Sequence, residues 1–239
     1  MGNHAPDGGS GHDFDGSLPK PELRRRILAR RSRLGVDARA RHDRSLLREV
    51  VRWVADTLAD APNPVVAAHV PIDTEPGATI GIDEAADAAI GTDEATDATI
   101  GTDAGSGFPD ALLAALTERL PGVRLLLPVC PPGPPTALDW AEYAGELAPG
   151  KYGLPEPVGP RLGAGAITRA GVILVPGLAG DVAGMRMGRG AGYYDRSLAH
   201  ATGRTALLLH PGEVLDAVPH DAHDLPVDAV LTADGQARR

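Results

Sequence analysis

The stretch "GVILVPGLAGDVAGMRMGRGAGYYDRSL", residues 171–198, decides the fold. Its first third is a continuous apolar run, Val172, Ile173, Leu174 and Val175, closed by Pro176. A strand that is apolar at every position, rather than at every second one, is covered on both faces, which is the habit of parallel sheets in α/β proteins. A glycine-rich loop follows, and from "AGYYDRSLAHA" onward the pattern is that of a helix start. Strand, glycine loop, helix is one unit of an α/β domain, and such domains bind ligands at the carboxyl ends of their strands. The loop therefore marks both the architecture and the expected site.

Working outward, the same grammar repeats. Strands are predicted at 64–70 ("PVVAAHV"), at 123–129 ("VRLLLPV"), in "RTALLLH" and in "VDAVLT". A helix is predicted from Pro19 to about Leu34, with Leu23, Ile27, Leu28 and Leu34 forming its apolar stripe and proline tolerated in the first turn. After a break at Gly35, a second helix runs from Val36 to about Ala59 with Leu46, Leu47, Val50, Val51 and Val54 inward, and a third starts near Asp110. Alternating strands and helices give a three-layer α/β/α, Rossmann-like fold with a mainly parallel sheet. Two segments fall outside it. Residues 1–18 are rich in Gly, Asp and Ser and are expected to be a disordered tail. "TIGIDEAADA", "AIGTDEATDA" and "TIGTDAGSGF" are three ten-residue units over 79–108, too short and acidic to build a solenoid core. They read as a flexible, solvated insertion in a single domain over 19–235. Their acidic spacing does not match an EF-hand loop.

Composition bounds the function. The 239 residues carry a net charge of −9, which opposes a chain-wide attraction to nucleic acid or anionic membrane. With 3% aromatic residues, the core must be largely Ala, Val and Leu. Cys130 is the single cysteine, so neither an intramolecular disulfide nor a thiolate metal cluster can form. No signal-like or membrane-spanning apolar run is present, and a cytoplasmic location is expected. Of the 23 Lys and Arg residues, only Lys20 and Lys151 are lysines.

The chemistry gathers in the loop. Gly188, Gly190 and Gly192 alternate, which is neither the dinucleotide fingerprint nor a Walker A sequence. Glycines nevertheless let backbone N–H groups approach an anion, and Arg186 and Arg189 add bidentate positive charge. Asp195 follows, and beside phosphates a carboxylate commonly holds Mg²⁺. The competing reading is a glycine turn with Asp195 as a cap or ion-pair partner.

"LVPGLAGDVAGMRMGRGAGYYDRSL" closely resembles the signature of the 5-formyltetrahydrofolate cyclo-ligase, or 5,10-methenyltetrahydrofolate synthetase, family. "KPELRRRILARR", "HVPIDTEPGAT", "LLLPV", "GKYGLPEP" and "HDLPVDAVLT" resemble further segments of that family in order, so that the likeness spans about 19–233 apart from the acidic units. The resemblance implies a NagB/RpiA/CoA transferase-like fold and an ATP- and Mg²⁺-dependent ring closure of 5-formyltetrahydrofolate to 5,10-methenyltetrahydrofolate. It implies a monomer acting on small molecules, with neither nucleic acid nor membrane as partner. Carried over residue by residue, Lys20, Arg24 and the run Arg186, Met187, Gly188, Arg189, Gly190, Ala191, Gly192, Tyr193 and Tyr194 match nucleotide-binding positions. Arg189 and Tyr193 are the implied catalytic pair. Val70, Glu75 and Tyr152 match folate-contacting positions, together with residues 189–193, and Lys151 is expected at the phosphate or the folate tail. Asp195 and Asp224 match magnesium-associated aspartates, with Asp228 a weaker candidate.

The chain also departs from the family pattern. Gly180 stands where a bulky residue is usual, Ala191 replaces a glycine, and His69 sits where an aromatic is common. Pro76, Gly77 and Ala78 interrupt the segment after Glu75, which brings Thr79 one residue late, and "LLLHPGEVL" lacks the usual Ala-Phe. These changes fall mostly on the folate side. They keep open an ATP-dependent activator of another formylated or folate-like substrate. The arginine-rich helix 20–33, read as a solvated basic face, keeps open a non-catalytic nucleotide- or RNA-binding protein.

Overall fold

A computed structural model describes residues 18–81, 107–221 and 224–237. Helices α1 (Lys20–Arg33) and α2 (Val36–Thr57) lead into β1 (Val65–Ala67), followed by α3 (Gly107–Thr117) and β2 (Arg124–Val129). Next come β3 (Asp139–Glu142), β4 (Leu147–Pro149) and β5 (Pro155–Pro157), then β6 (Val172–Pro176), β7 (Ala179–Asp181) and β8 (Arg186–Met187). The chain ends with α4 (Tyr193–Leu198), β9 (Arg204–Leu208), β10 (Val214–Leu215), β11 (Ala229–Thr232) and β12 (Gly235–Ala237).

Seven strands form the central sheet in the order β12-β11-β9-β6-β1-β2-β3. The five inner strands are parallel, and the edges β12 and β3 are antiparallel. The expected α/β architecture is therefore present. Side chains alternate across the sheet as the pleat requires. Val172 and Leu174 of β6 join Leu46, Val50 and Val54 of α2 and Leu112 and Leu116 of α3 in one apolar cluster. Ile173 and Val175 face the other way, onto Leu138, Trp140, Ile167 and Leu198. That second face is covered by a 3-10 segment, Ala164–Arg169, and the short α4 rather than by long helices. Residues 130–163 provide no helix for it; they go into β3, the β4–β5 ribbon and a 3-10 turn at Lys151–Gly153.

The predicted strand closed by Pro176 is β6, and the glycine loop after it holds a further strand, β7, in a different sheet. β6 lies in the main sheet, whereas β7 pairs with β8 and β10 in a small sheet of its own. The chain crosses β9 between them, and a Cβ at Gly177 or Gly180 would sit 2.5 or 2.6 Å from the Leu207 side chain. A bulky residue at 180 has no room here. α1 packs on this small sheet through Leu23 and Ile27, against Leu178, Met187 and Leu215. Arg31, one further turn along the same stripe, is buried too.

α3 begins at Gly107, ahead of the expected Asp110, because Phe108 is itself a core residue. The ten-residue units are thus not solvated at their margins. Thr79 is buried, with its N–H and hydroxyl donating to Asp43 Oδ2 at 3.0 and 2.6 Å, and Phe108 is buried beneath α2. The rest of the units and the tail 1–17 lie outside the described residues.

Candidate active site

A cavity of about 340 Å³ opens where β1, β2 and β6 end, lined by His69, Val70, Pro128, Cys130, Pro176 and Gly177 from those carboxyl ends. The glycine loop closes one side, contributing Arg186 and residues 188–195. Ile72 and Glu75 come from the loop after β1, and Tyr152, Leu154, Pro155 and Glu156 from the turn before β5. The sequence-predicted residues Val70, Glu75, Tyr152, Arg186, Gly188, Arg189, Gly190, Ala191, Gly192, Tyr193, Tyr194 and Asp195 therefore meet around one space.

The β7–β8 pairing sets the loop. Gly180 opposes Arg186 and Ala179 opposes Met187, so the two neighbours point to opposite faces. Met187 goes inward against Leu23 and Ile27 and does not line the cavity, contrary to the expectation that it belongs to the nucleotide site. Arg186 faces the cavity with its side chain 7% exposed and pairs with Asp195. Burial lowers the Arg186 pKa, and the neighbouring carboxylate opposes that. Gly192 takes a left-handed φ of 75°, which lets the chain turn into α4. Arg196 closes the turn by donating to the Gly192 carbonyl at 2.7 Å. α4 has only six residues. Anchoring comes instead from Ser197, whose hydroxyl donates to the Tyr193 carbonyl and accepts the Leu138 N–H.

Across the cavity, Glu75 accepts the Ile72 N–H at 3.2 Å and pairs with Arg189 Nε at 3.0 Å. The unusual segment behind it is tied to α2: Asp43, fully buried, accepts the N–H groups of Gly77 and Thr79 and the Thr79 hydroxyl. The threonine that arrives one residue late is the anchor, and Glu75 keeps its place in the cavity wall.

Tyr152 stands at the rim, 70% exposed and with a φ of 61°, so it is not a core residue. Lys151 Nζ lies 4.9 Å from the centre of its ring and donates to Tyr193 Oη at 3.2 Å and to the carbonyls of Pro131 and Gly133. The proximity of Tyr152 to Tyr193 lowers the pKa of the first and raises that of the second. Glu156 was not singled out from the sequence, although it lies inside "GKYGLPEP". It accepts the Cys130 N–H at 2.9 Å, and a Cβ on Gly150 would collide with its carboxylate. Burial raises the Cys130 thiol pKa.

Lys20 and Arg24 stand behind the loop, not in the cavity lining. Arg24 Nε donates to the Gly188 carbonyl at 2.9 Å, and Lys20 pairs with Asp221 at 2.6 Å and Asp224 at 3.4 Å. α1 is a solvated basic face on one side only, where Arg25 and Arg26 are exposed and pair with Glu22. Arg31 and Glu213 form a fully buried ion pair with two 2.7 Å contacts, and Arg30 donates to the Pro211 carbonyl. Asp228 pairs with Arg204 and accepts the Thr205 N–H at the far end of the sheet, which makes it a structural residue. No cluster of three metal-ligating side chains occurs among the described residues. Mg²⁺ beside a nucleotide takes one or two carboxylates and completes its shell with phosphate and water. Asp195, half exposed at the cavity mouth, fits that donor set, whereas Asp224 is engaged by Lys20 and the Asp221 N–H and does not line the cavity.

Residues 105–233, more than half of the chain, match the 5-formyltetrahydrofolate cyclo-ligase family. The 5-formyltetrahydrofolate cyclo-ligase of Mycolicibacterium smegmatis is 45% identical over 128 residues, 51% of this chain and 65% of that protein's length. Over 92% of both chains the fold is similar to the solution structure of Aquifex aeolicus 5,10-methenyltetrahydrofolate synthetase, with a TM-score of 0.58 and 26% identity. The Mycoplasma pneumoniae 5,10-methenyltetrahydrofolate synthetase shares the fold at the same TM-score over 90% of this chain and 99% of that one, with 16% identity.

Proposed function

The chain belongs to the 5-formyltetrahydrofolate cyclo-ligase family, and on that premise we propose that it closes 5-formyltetrahydrofolate to 5,10-methenyltetrahydrofolate with consumption of ATP. The observation that carries this reading is the Arg189–Glu75 pair, 3.0 Å long, spanning a single cavity between the glycine loop and the opposite wall. One side offers guanidinium groups and bare backbone, suited to phosphate; the other offers a carboxylate and largely apolar walls, suited to a heterocycle. A reaction that joins a nucleotide to a second substrate needs both sides in one space.

The formyl group on N5 is amide-like, and its oxygen is a poor leaving group. In the proposed reaction that oxygen attacks the γ-phosphorus and ADP departs. N10 then attacks the activated carbon and gives up its proton to solvent, and phosphate leaves with the former formyl oxygen. Little covalent work falls to the protein; alignment and charge neutralisation carry the catalysis. Arg189 faces the transferring group, and substrate exchanges Glu75 from Arg189 to the pterin's donors. Arg186, held by Asp195, supports the nucleotide phosphates, with Arg24 bracing the loop from behind and Lys20 tying α1 to Asp221 and Asp224. Tyr193, with Lys151 on its hydroxyl, and Tyr152 wall the reacting centre. Asp195 would hold the Mg²⁺, with Asp224 near enough to act electrostatically on Arg186. When bound, that ion neutralises charge on the phosphate oxygens.

The test is to mix purified protein with 5-formyltetrahydrofolate and MgATP and follow the near-ultraviolet band of the methenyl product. A band that requires both ATP and Mg²⁺ is expected. ATP consumption without the band would replace the folate by another formylated substrate, and neither signal would overturn the reading.

A further inference from the structure

His69 follows the end of β1 and is 4% exposed, yet neither of its ring nitrogens has a hydrogen-bond partner among the described residues. The Leu174 backbone bears on the ring's titration without satisfying a nitrogen. Buried polar atoms are almost always paired, and an orphan in a native fold calls for a partner that comes from elsewhere. Here the ring lines the cavity. Its position is otherwise well determined: Phe108 packs at 6.4 Å between ring centres, tilted by 31°. Nor does it stand alone. The Tyr194 hydroxyl is likewise buried without a partner and lines the same cavity, and both groups feel the charge of Glu75. Three polar groups thus border one largely apolar cavity, which is how a site selects a ring with a polar edge.

We propose that His69 is a specificity-determining residue that hydrogen-bonds the polar edge of the bound folate's ring system, in concert with Glu75 and Tyr194. The inference rests on the cyclo-ligase reading and adds to it a residue that replaces pure aromatic packing by a hydrogen bond. Burial pushes the His69 pKa down; Glu75 opposes that shift and the Arg31 charge reinforces it. The ring is therefore neutral at pH 7, with one N–H to donate and one nitrogen to accept. Protonation, which burial displaces to the acid side of the ordinary histidine range, turns the acceptor into a donor, so affinity for the folate falls there.

The experiment compares wild type with H69F, H69N and H69Q in steady-state kinetics from pH 5.5 to 8. Phe keeps the ring and removes both polar atoms; Asn and Gln return an amide near the Nδ1 and Nε2 positions. In H69F, KM for 5-formyltetrahydrofolate is expected to rise about three- to tenfold, as befits one hydrogen bond. kcat and KM for ATP should stay within about twofold, and the acid-side loss of folate affinity should vanish. One of the two amides is expected to restore most of the affinity, which also keeps the test decisive if H69F folds poorly. An unchanged or lower folate KM in H69F, or failure of both amides to restore it in folded protein, overturns the proposal. A wild type that neither binds nor turns over the formylated folate overturns the cyclo-ligase reading itself, and the two failures are told apart by that control.

Discussion

Two arginine regions flank the glycine loop, and they use the same side chain in opposite ways. On the inner face of α1, Arg31 is completely buried, held by both oxygens of Glu213 and by the Gly177 carbonyl. In the loop, Arg189 is 43% exposed and has a carboxylate of the facing wall as its ion-pair partner. Once desolvated, a guanidinium is worth keeping only if its partner is always there, so the first region is fixed structure. The second stays at the solvent boundary, where a ligand can take over the charge at small cost. Severing the buried pair should therefore have the largest effect on folding. R31A leaves Glu213 buried and uncompensated and is expected to cost about 3–5 kcal/mol in denaturant unfolding. A midpoint within error of wild type would erase the distinction between the two regions.

The loop arginine should behave in the reverse manner. R189A is expected to lower kcat/KM by about a hundredfold or more, the scale of a lost preorganised electrostatic contact at a reacting centre. Its unfolding free energy should fall by about 1 kcal/mol at most, since exposed ion pairs contribute little. Equal losses of activity and stability would place Arg189 with Arg31 as a structural residue.

What the sequence disclosed follows the same division. The loop was legible because its glycines, arginines and Asp195 are contiguous, and because the strand before it is apolar at every position. Arg31 was half legible. It falls four residues after Ile27 and eight after Leu23, on the buried stripe, but "RRRILARRSR" surrounds it with arginines that are not buried. Glu213 carries no periodic signal at all. Asp43 was hidden likewise, a carboxylate on the inner face of α2 whose partners, Gly77 and Thr79, lie more than thirty residues away. The small elements were lost for a different reason. β3, β4 and β5 are short, and the last two begin or end with proline, so neither length nor alternation marks them as strands.

Between the two regions stands Arg24, on α1 like Arg31 but reaching the loop like neither of its neighbours, through one bond to the Gly188 carbonyl. It should sharpen the comparison by an intermediate effect. R24A is expected to raise KM for ATP about three- to tenfold, the worth of one hydrogen bond, with kcat within about twofold. A collapse of kcat would mean that Arg24 touches the reacting groups directly, and the cavity lining would need to be redrawn to include it.

The smallest effect is expected from the largest change. Gly81 and Gly107 bracket residues 82–106, and a Cβ built on Gly81 would lie 2.9 Å from the Gly107 Cα. Adjacent residues in a chain have Cα atoms 3.8 Å apart, so joining Gly81 to Gly107 by a single peptide bond needs little movement. The anchors on either side survive the join. Thr79 keeps its bonds to Asp43, and Phe108 keeps its place in the core beside His69. Glu75, which faces Arg189, is upstream of both. Deleting 82–106 is therefore expected to leave kcat/KM within about twofold, and to leave stability unchanged or nearly so, because the two ends already lie close enough to be joined. The measurement is a thermal melt beside the methenyl assay. A variant with the wild-type melting transition but no turnover would show that the acidic units take part in the reaction, and that the loop region and the buried region are joined by a third that neither arginine reveals.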